Sequence, residues 1–133
     1  MIDWKLAGPA SLLGVFLLAN GIYMLVAPES WYWTVTGVAD RGAFNQHFIR
    51  DIGIVYALTS VGLIIGGFSP GQRFAYWLPP FLWLGGHALF HIWEVIVGVC
   101  GPEALIEDFV GVTMPAIIVA VMIWFARNEP KTA

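Results

Sequence analysis

Charged side chains are scarce in this sequence. Lys, Arg, Asp and Glu make up 11% of the 133 residues, whereas 59% are hydrophobic and the mean hydropathy is +0.76. A soluble domain carries about 25% charged residues. So few charges leave too little polar surface to cover a globule in water. The composition therefore predicts an integral membrane protein.

Cysteine and basic clusters are also nearly absent. The single cysteine, Cys100, excludes a disulfide or a dithiol redox pair within one chain. The formal net charge is -3, and no run of Lys or Arg indicates binding to nucleic acid or to an anionic lipid surface. A glycine-rich phosphate-binding loop is missing as well. Any chemistry must therefore come from a few side chains inside the helices.

Long apolar runs are what the chain has in abundance. A helix needs roughly 20 apolar residues to cross the hydrocarbon core of a bilayer, and four stretches qualify. They cover about 6–27, 45–67, 73–99 and 102–126. We therefore predict an all-α polytopic membrane protein, a single domain 1–133 with four transmembrane helices in an antiparallel bundle. A short interfacial helix is expected after the first span, where Pro28 and Glu29 precede three aromatic residues.

The orientation follows from the cations near the helix ends. One side holds Lys5, Arg73, Arg127 and Lys131, and the other holds Arg41 and Arg50. Four cations against two place both termini in the cytoplasm, and the loops 28–45 and 99–102 on the outer side. We expect the first span to be retained, because its apolar core is longer than that of a signal peptide.

Proline and glycine mark places where the helices should bend or touch. Pro79 and Pro80 either begin the third helix or kink it, and Pro115 should bend the fourth. The pair Gly85-Gly86 predicts a close contact with another helix, since small residues let helices approach in a bilayer.

Three polar residues share one face of the third predicted helix. His87, His91 and Glu94 are four and three residues apart, which puts them on a stripe about 10 Å long. Two imidazoles and a carboxylate are costly in a bilayer unless they meet partners, so such residues indicate function by default. The alternative is a hydrogen-bonded seam that only fixes helix packing. The pattern leaves both interpretations open.

Other ionisable residues fall at the same predicted depth. His47, Arg50 and Asp51 open the second predicted span, and Glu107 and Asp108 lie near the start of the fourth. All of them belong to the outer half of the predicted bundle. Only one of Glu107 and Asp108 can face the bundle core. We therefore expect a polar chamber, formed by three helices and open toward the outer face.

These side chains have the chemistry of a metal site, because imidazole and carboxylate are usual ligands of zinc, copper(II) and iron(II). The leading hypothesis is a transition-metal ion with the ligands His47, His87, His91 and Glu94. Arg50 would balance charge or hold an anionic substrate or cofactor, and Asp51 would ligate the ion or orient His47. The sequence leaves open whether the ion is catalytic, transported or structural, and so whether the protein is an enzyme.

Two other function classes stay open. An accessory or structural subunit of a larger membrane complex, or a homo-oligomer, would use the polar cluster for packing or for conducting protons or water. A redox protein would bind haem b between His47 and one histidine of the third helix, or would bind a quinone. A Ser-His-Asp arrangement lacks a nucleophile at the right depth. A di-iron site of the desaturase type needs about eight histidines by resemblance, and the chain has three.

A resemblance rests on two segments, GAFNQHFIRDIG at 42–53 and HALFH at 87–91. They resemble small four-span bacterial membrane proteins of unassigned function, in which an N-x-H-F-[IV]-R-D-I-G signature opens the second helix. DoxX-like membrane proteins are more distantly similar and share the four-helix plan without these histidines. The resemblance implies a multi-pass protein of the bacterial inner (cytoplasmic) membrane and no particular activity. It singles out His47, Arg50, Asp51, His87 and His91.

Overall fold

The structure, a computed structural model, describes residues 3–128, which form helices joined by turns and loops. The α-helices are α1 (Trp4–Val26), α2 (Pro28–Thr34), α3 (Gln46–Phe68), α4 (Arg73–Ile96), α5 (Ala104–Glu107) and α6 (Met114–Arg127). A 3₁₀ turn (Pro70–Gln72) precedes α4, and a π-helical segment (Phe109–Thr113) joins α5 to α6. No strand occurs within these residues, and the all-α class is therefore confirmed.

Local sequence signals explain where α2 and α3 begin. Pro28 occupies the first turn of α2, where its missing N–H needs no partner. The Asn45 side chain caps α3 by accepting a hydrogen bond from the backbone N–H of Phe48 at 3.1 Å. α2 is the short helix expected after the first span. It is tied back to α1 by Trp31, whose indole Nε1 donates to Oδ1 of Asn20 at 2.9 Å.

α1 and α3 pack most closely where two glycines meet. A Cβ added to Gly21 would lie 2.8 Å from the carbonyl oxygen of Gly53, and a Cβ added to Gly53 would lie 3.0 Å from that of Gly21. Without side chains at these positions the two backbones come into contact. Close backbone packing of this kind holds helices together in lipid, where apolar side chains gain little by leaving the acyl chains.

Gly21→Ala is expected to lower the free energy of unfolding by about 1–3 kcal/mol, because the added methyl group meets the backbone of α3. Gly8→Ala is the matched control on the same helix, since a Cβ there meets nothing within 4 Å. We expect this control to be neutral or stabilising by up to about 1 kcal/mol. Reversible unfolding in mixed micelles compares the two variants. Equal stabilities would contradict the close packing at Gly21.

α4 packs on α3 through one large side chain. Trp77 is fully buried, and its Nε1 donates to the carbonyl oxygen of Leu63 at 3.0 Å. Gly66 of α3 leaves room for this indole, which a Cβ would strike. The contact predicted at Gly85-Gly86 is wrong. A Cβ on Gly86 would meet nothing within 4 Å, and one on Gly85 would meet only a ring of its own helix.

The two adjacent prolines lie inside α4. The helix begins at Arg73 and continues through Pro79 and Pro80, so the alternative that they begin the helix is wrong. Pro80 has no N–H for the carbonyl of Tyr76 one turn earlier. The backbone of α3 comes close at this point, because a Cβ on Gly62 would lie 3.0 Å from that carbonyl oxygen.

The predicted fourth span, 102–126, is not one continuous α-helix. α5, the π-helical segment and α6 follow one another along it. Pro115 lies in the first turn of α6 and lacks the N–H that a regular α-helix would use. The wider π turn lets the N–H of Thr113 reach back five residues to the carbonyl of Asp108 at 3.3 Å. The irregularity thus lies directly beside Asp108.

Three helical stretches of the described part are long and apolar enough to cross a membrane by length and composition. They are Trp4–Val26, Gln46–Phe68 and Phe109–Arg127, with mean hydropathies of 1.8, 1.8 and 2.3. At most 33% of each stretch is buried, so their apolar side chains mostly face outward, where lipid would cover them. α4 has 24 residues but is not among the three. Lys131, counted for the orientation, lies outside the described residues.

Candidate functional site

A large cavity opens between α1 to α4 and the segment that joins α5 to α6. Its volume is about 990 Å³, which is the size of a site for a drug-sized molecule. Most of its wall is aromatic or aliphatic, including Phe16, Trp31, Tyr56, Leu82, Trp83 and Phe90. Its ionisable side chains are Arg41, His87, His91, Glu94, Glu107 and Asp108.

Four of these groups form a connected chain centred on Asp108. Its Oδ2 lies 2.7 Å from Nδ1 of His91, and its Oδ1 accepts from the Arg41 guanidinium at 2.6 Å. Arg41 also contacts Oε2 of Glu107 at 3.5 Å. The carboxylate of the Arg41–Asp108 ion pair accepts hydrogen bonds, so Nδ1 of His91 is the donor in this contact. In the neutral ring with its proton on Nδ1, the Nε2 atom of His91 keeps a lone pair for another partner.

The loop between α2 and α3 is shaped to bring Arg41 to Asp108. Gly37 adopts a φ of +79°, in the left-handed region that favours glycine. A Cβ there would lie 3.0 Å from the Arg41 guanidinium and 3.2 Å from Oε2 of Glu107. The turn and the ion pairs therefore both depend on a residue without a side chain.

Arg41 is a permanent positive charge in this arrangement. Burial alone would lower the pKa of its guanidinium, but the hydrogen bond and charge of Asp108 outweigh burial, with a contribution from Cys100. The pKa of Arg41 is raised as a result. Only 16% of the Arg41 side chain and 9% of that of Asp108 are exposed. The pair is therefore a shielded one, unlike most surface salt bridges.

His87 lies one helical turn before His91 and is held by rings rather than by hydrogen bonds. Its imidazole stacks on Trp83 with centroids 5.5 Å apart and an interplanar angle of 6°. It meets the ring of His91 edge-on at 4.6 Å. The Trp83 indole N–H is buried and has no hydrogen-bond partner. Both Trp83 and His87 line the cavity.

Glu94 is the least well partnered carboxylate of the cavity. Its Oε2 lies 3.9 Å from Nδ1 of His91, beyond hydrogen-bonding distance. Because Nδ1 already donates to Asp108 at 2.7 Å, Glu94 has only a long-range attraction to that ring. Its side chain is 14% exposed. Glu94 is thus a shielded acceptor at the cavity wall.

The structure does not bring the other predicted site residues into the cavity. His47 and Asp51 contact each other at 3.3 Å, and their side chains are 87% and 55% exposed. Arg50 donates from Nε to the carbonyl oxygen of Leu25 at 3.1 Å and so covers the C-terminal end of α1. These three residues therefore form a separate cluster at the start of α3.

Helical periodicity explains this separation. The buried face of α3 begins with Ile49, Gly53 and Tyr56. Gly53 and Tyr56 pack against Gly21 of α1, and Ile49 and Tyr56 line the cavity. A step of two residues turns a helix by about 200°. His47 and Asp51 both lie two residues from that face and so point away from it.

The sequence analysis missed Arg41 as a member of the site and left Glu107 and Asp108 undecided. Asp108 is the buried one of the two and contacts both Arg41 and His91. The one available signal for Arg41 was its place in the long loop between α2 and α3. Trp83 gave no signal beyond a ring one turn before His87.

The metal and haem hypotheses meet a geometric difficulty. Among residues 3–128, no group of three or more His, Cys, Asp or Glu is arranged to hold a metal ion. Glu94 lies on the Nδ1 side of His91, where Asp108 already contacts the ring. His47, the ligand expected opposite the α4 histidines in a haem site, does not line the cavity. Comparison with family models, curated proteins and solved structures gives no match, and the resemblance noted above stays a prediction.

Proposed function

We propose that this membrane protein binds an amphipathic organic molecule in the cavity. The apolar body of the ligand would lie against the aromatic and aliphatic walls, and its polar group against His87, His91 and Glu94. The observation that carries this proposal is a cavity of about 990 Å³ whose ionisable groups are linked to one another. An apolar pocket with a few convergent polar groups is the usual form of a small-molecule site.

Unpartnered polar atoms support the proposal. The Trp83 indole N–H is buried without a hydrogen-bond partner, and the half-buried side chains of His87 and Glu94 make no hydrogen bond within residues 3–128. A buried polar group without a partner costs about 1–3 kcal/mol. All three side chains line the cavity, where a ligand with complementary groups would satisfy them. The Arg41–Asp108–His91 chain would hold the wall in place during binding.

The proposal is tested by a titration with diphenylhexatriene, a neutral apolar fluorophore. Trp31 and Trp83 line the cavity and can transfer excitation energy to a bound probe. In nanodiscs we expect a saturable energy-transfer signal on top of the linear uptake by lipid. Gly86→Phe, which places a ring in the cavity, should remove the saturable part. A signal that never saturates, or that is equal in the variant, would contradict binding in the cavity.

We also propose that α4 is a fourth membrane span, with both termini in the cytoplasm of a bacterial inner membrane. α4 has 24 residues and is about 36 Å long by the α-helical rise, against a hydrocarbon core of about 30 Å. Its costly side chains His87, His91 and Glu94 line the cavity and so avoid the lipid. The count of cations on the two sides supports the orientation.

Cysteine labelling tests this topology. In a Cys100→Ser background we expect Asp40→Cys to react with a membrane-impermeant maleimide in spheroplasts. Gln72→Cys, in the turn before α4, should react only after the membrane is opened. Both positions are exposed, so their access to the reagent differs only by the side of the membrane on which they lie. Labelling of both, or of Gln72→Cys alone, in sealed spheroplasts would refute the proposed orientation.

A transition-metal ion stays a second candidate because of one feature. Asp108 contacts Nδ1 of His91, as carboxylates do for metal-binding histidines, and Nε2 of the neutral ring would then be left for an ion; the His87 ring is 4.6 Å away. Two imidazoles would need further ligands from solvent or substrate. Metal analysis of the purified protein decides this: less than one equivalent of any transition metal removes the candidate.

A role as an accessory subunit or homo-oligomer also stays a prediction. The exposed pair His47 and Asp51 is where another subunit would bind. Such side chains are costly when they face lipid, and a partner would cover them. Mass spectrometry after purification in mild detergent distinguishes an isolated chain from a complex.

A further inference from the structure

We infer that the cavity selects a lipophilic organic cation, whose positive charge lies beside Glu94. This inference rests on the proposed function, because it requires that the cavity holds a ligand. It adds the charge of the ligand, which the size of the cavity and its apolar lining do not specify.

The charge balance of the cavity wall carries the inference. Three carboxylates line the cavity, those of Glu94, Glu107 and Asp108, against the single guanidinium of Arg41. Arg41 contacts Asp108 at 2.6 Å and Glu107 at 3.5 Å. Within the described residues the carboxylate of Glu94 meets only the imidazole of His91, at 3.9 Å and already in contact with Asp108, and the Glu94 side chain is only 14% exposed. A cationic ligand would offset this shielded negative charge.

The same wall disfavours an anionic ligand. Arg41 is the group that an anion would need, but its guanidinium is taken up by Asp108 at 2.6 Å. The nearest free acceptor, Glu94, would repel an anion. The Nδ1–H of His91 already faces Asp108 at 2.7 Å and is therefore not available to an anion.

Aromatic rings around the cavity suit an organic cation. Trp31, Tyr56 and Phe90 line it together with Glu94. The face of an aromatic ring attracts a cation within about 6 Å, and the attraction grows when water is excluded. A compact inorganic cation would need several oxygen or nitrogen ligands at once, whereas an organic cation needs one carboxylate and ring faces. The cavity wall provides one carboxylate and several ring faces, as an organic cation requires.

Two probes of the same shape and opposite charge test the inference. Tetraphenylphosphonium and tetraphenylborate are titrated against protein in nanodiscs of neutral lipid, with uptake by empty nanodiscs subtracted. We expect the cation to displace saturably bound diphenylhexatriene at a concentration at least about tenfold lower than the anion. Glu94→Gln should weaken displacement by the cation about tenfold. Asp51→Asn removes the same charge outside the cavity and should leave displacement by the cation unchanged.

The outcomes separate this inference from the proposed function. Equal displacement by cation and anion, or an unchanged response of Glu94→Gln to the cation, overturns the cation selectivity and leaves a ligand cavity standing. The saturable diphenylhexatriene signal of Glu94→Gln reports that its cavity is intact. If neither charged probe nor diphenylhexatriene binds saturably to the wild type, the proposed function itself fails.

Discussion

Asp108→Ala should lower the free energy of unfolding by about 3–5 kcal/mol. The side chain is buried, accepts from Arg41 at 2.6 Å and holds Nδ1 of His91 at 2.7 Å. Its removal leaves a shielded guanidinium and an imidazole N–H without their acceptor. Breaking a buried pair from one side costs far more than the pair contributes, because the remaining charge stays desolvated. Unfolding in mixed micelles, followed by tryptophan fluorescence, measures the loss.

Glu107→Ala is the control at the adjacent position. Glu107 contacts the same guanidinium, but at 3.5 Å and with 40% of its side chain exposed. Water can replace such an acceptor, so we expect a loss of under about 1 kcal/mol. If both alanine variants were equally stable, Asp108 would not be the centre of the chain of contacts.

A double replacement shows whether the unpaired charge causes the loss. Asp108→Leu combined with Arg41→Met removes both ions and keeps much of their volume. Exchanging a buried ion pair for apolar residues is often neutral. We therefore expect the double variant to recover most of the stability that Asp108→Ala loses, and a loss as large as that of Asp108→Ala would contradict this.

The all-helical, apolar character could be predicted because it depends on composition and local sequence. Apolar runs, Pro28 and Asn45 are signals that act within a few residues, and the structure follows them in α1, α2 and α3. The signal for the break between α5 and α6 is partly local as well, since Pro115 indicates a bend. That the bend takes the form of a π segment was not predictable. It depends on which backbone carbonyls the N–H groups of the folded chain can reach, such as that of Asp108 for Thr113.

The membership of the site could be predicted only where residues share one helix. His87, His91 and Glu94 line one cavity because the helical repeat places them together. His47 was grouped with them by depth alone, and depth does not specify which way a side chain points. The rotation of α3 is set by the glycine contact with α1, which involves residues 32 positions apart. Arg41 and Asp108 meet over a still longer separation of 67 residues.

Gly86→Phe is expected to weaken binding of diphenylhexatriene at least tenfold while leaving the fold intact. Gly86 lines the cavity, and a Cβ there meets nothing within 4 Å. A ring at this position would extend from an unobstructed Cβ into the space of the ligand. Replacing a helical glycine also removes backbone freedom from the unfolded chain, which stabilises by up to about 1 kcal/mol. Energy transfer from tryptophan gives the affinity, and unfolding in mixed micelles gives the stability.

Gly8→Phe controls for a new exposed ring on a membrane helix. Gly8 also has nothing within 4 Å of an added Cβ, but it does not line the cavity. We expect it to keep the full saturable signal. Loss of binding with unchanged stability in Gly86→Phe, and in that variant alone, would place the ligand in the cavity rather than in the surrounding lipid. Unaltered binding in Gly86→Phe would instead mean that the probe occupies another surface, and the polar wall around Asp108 would then be a packing device.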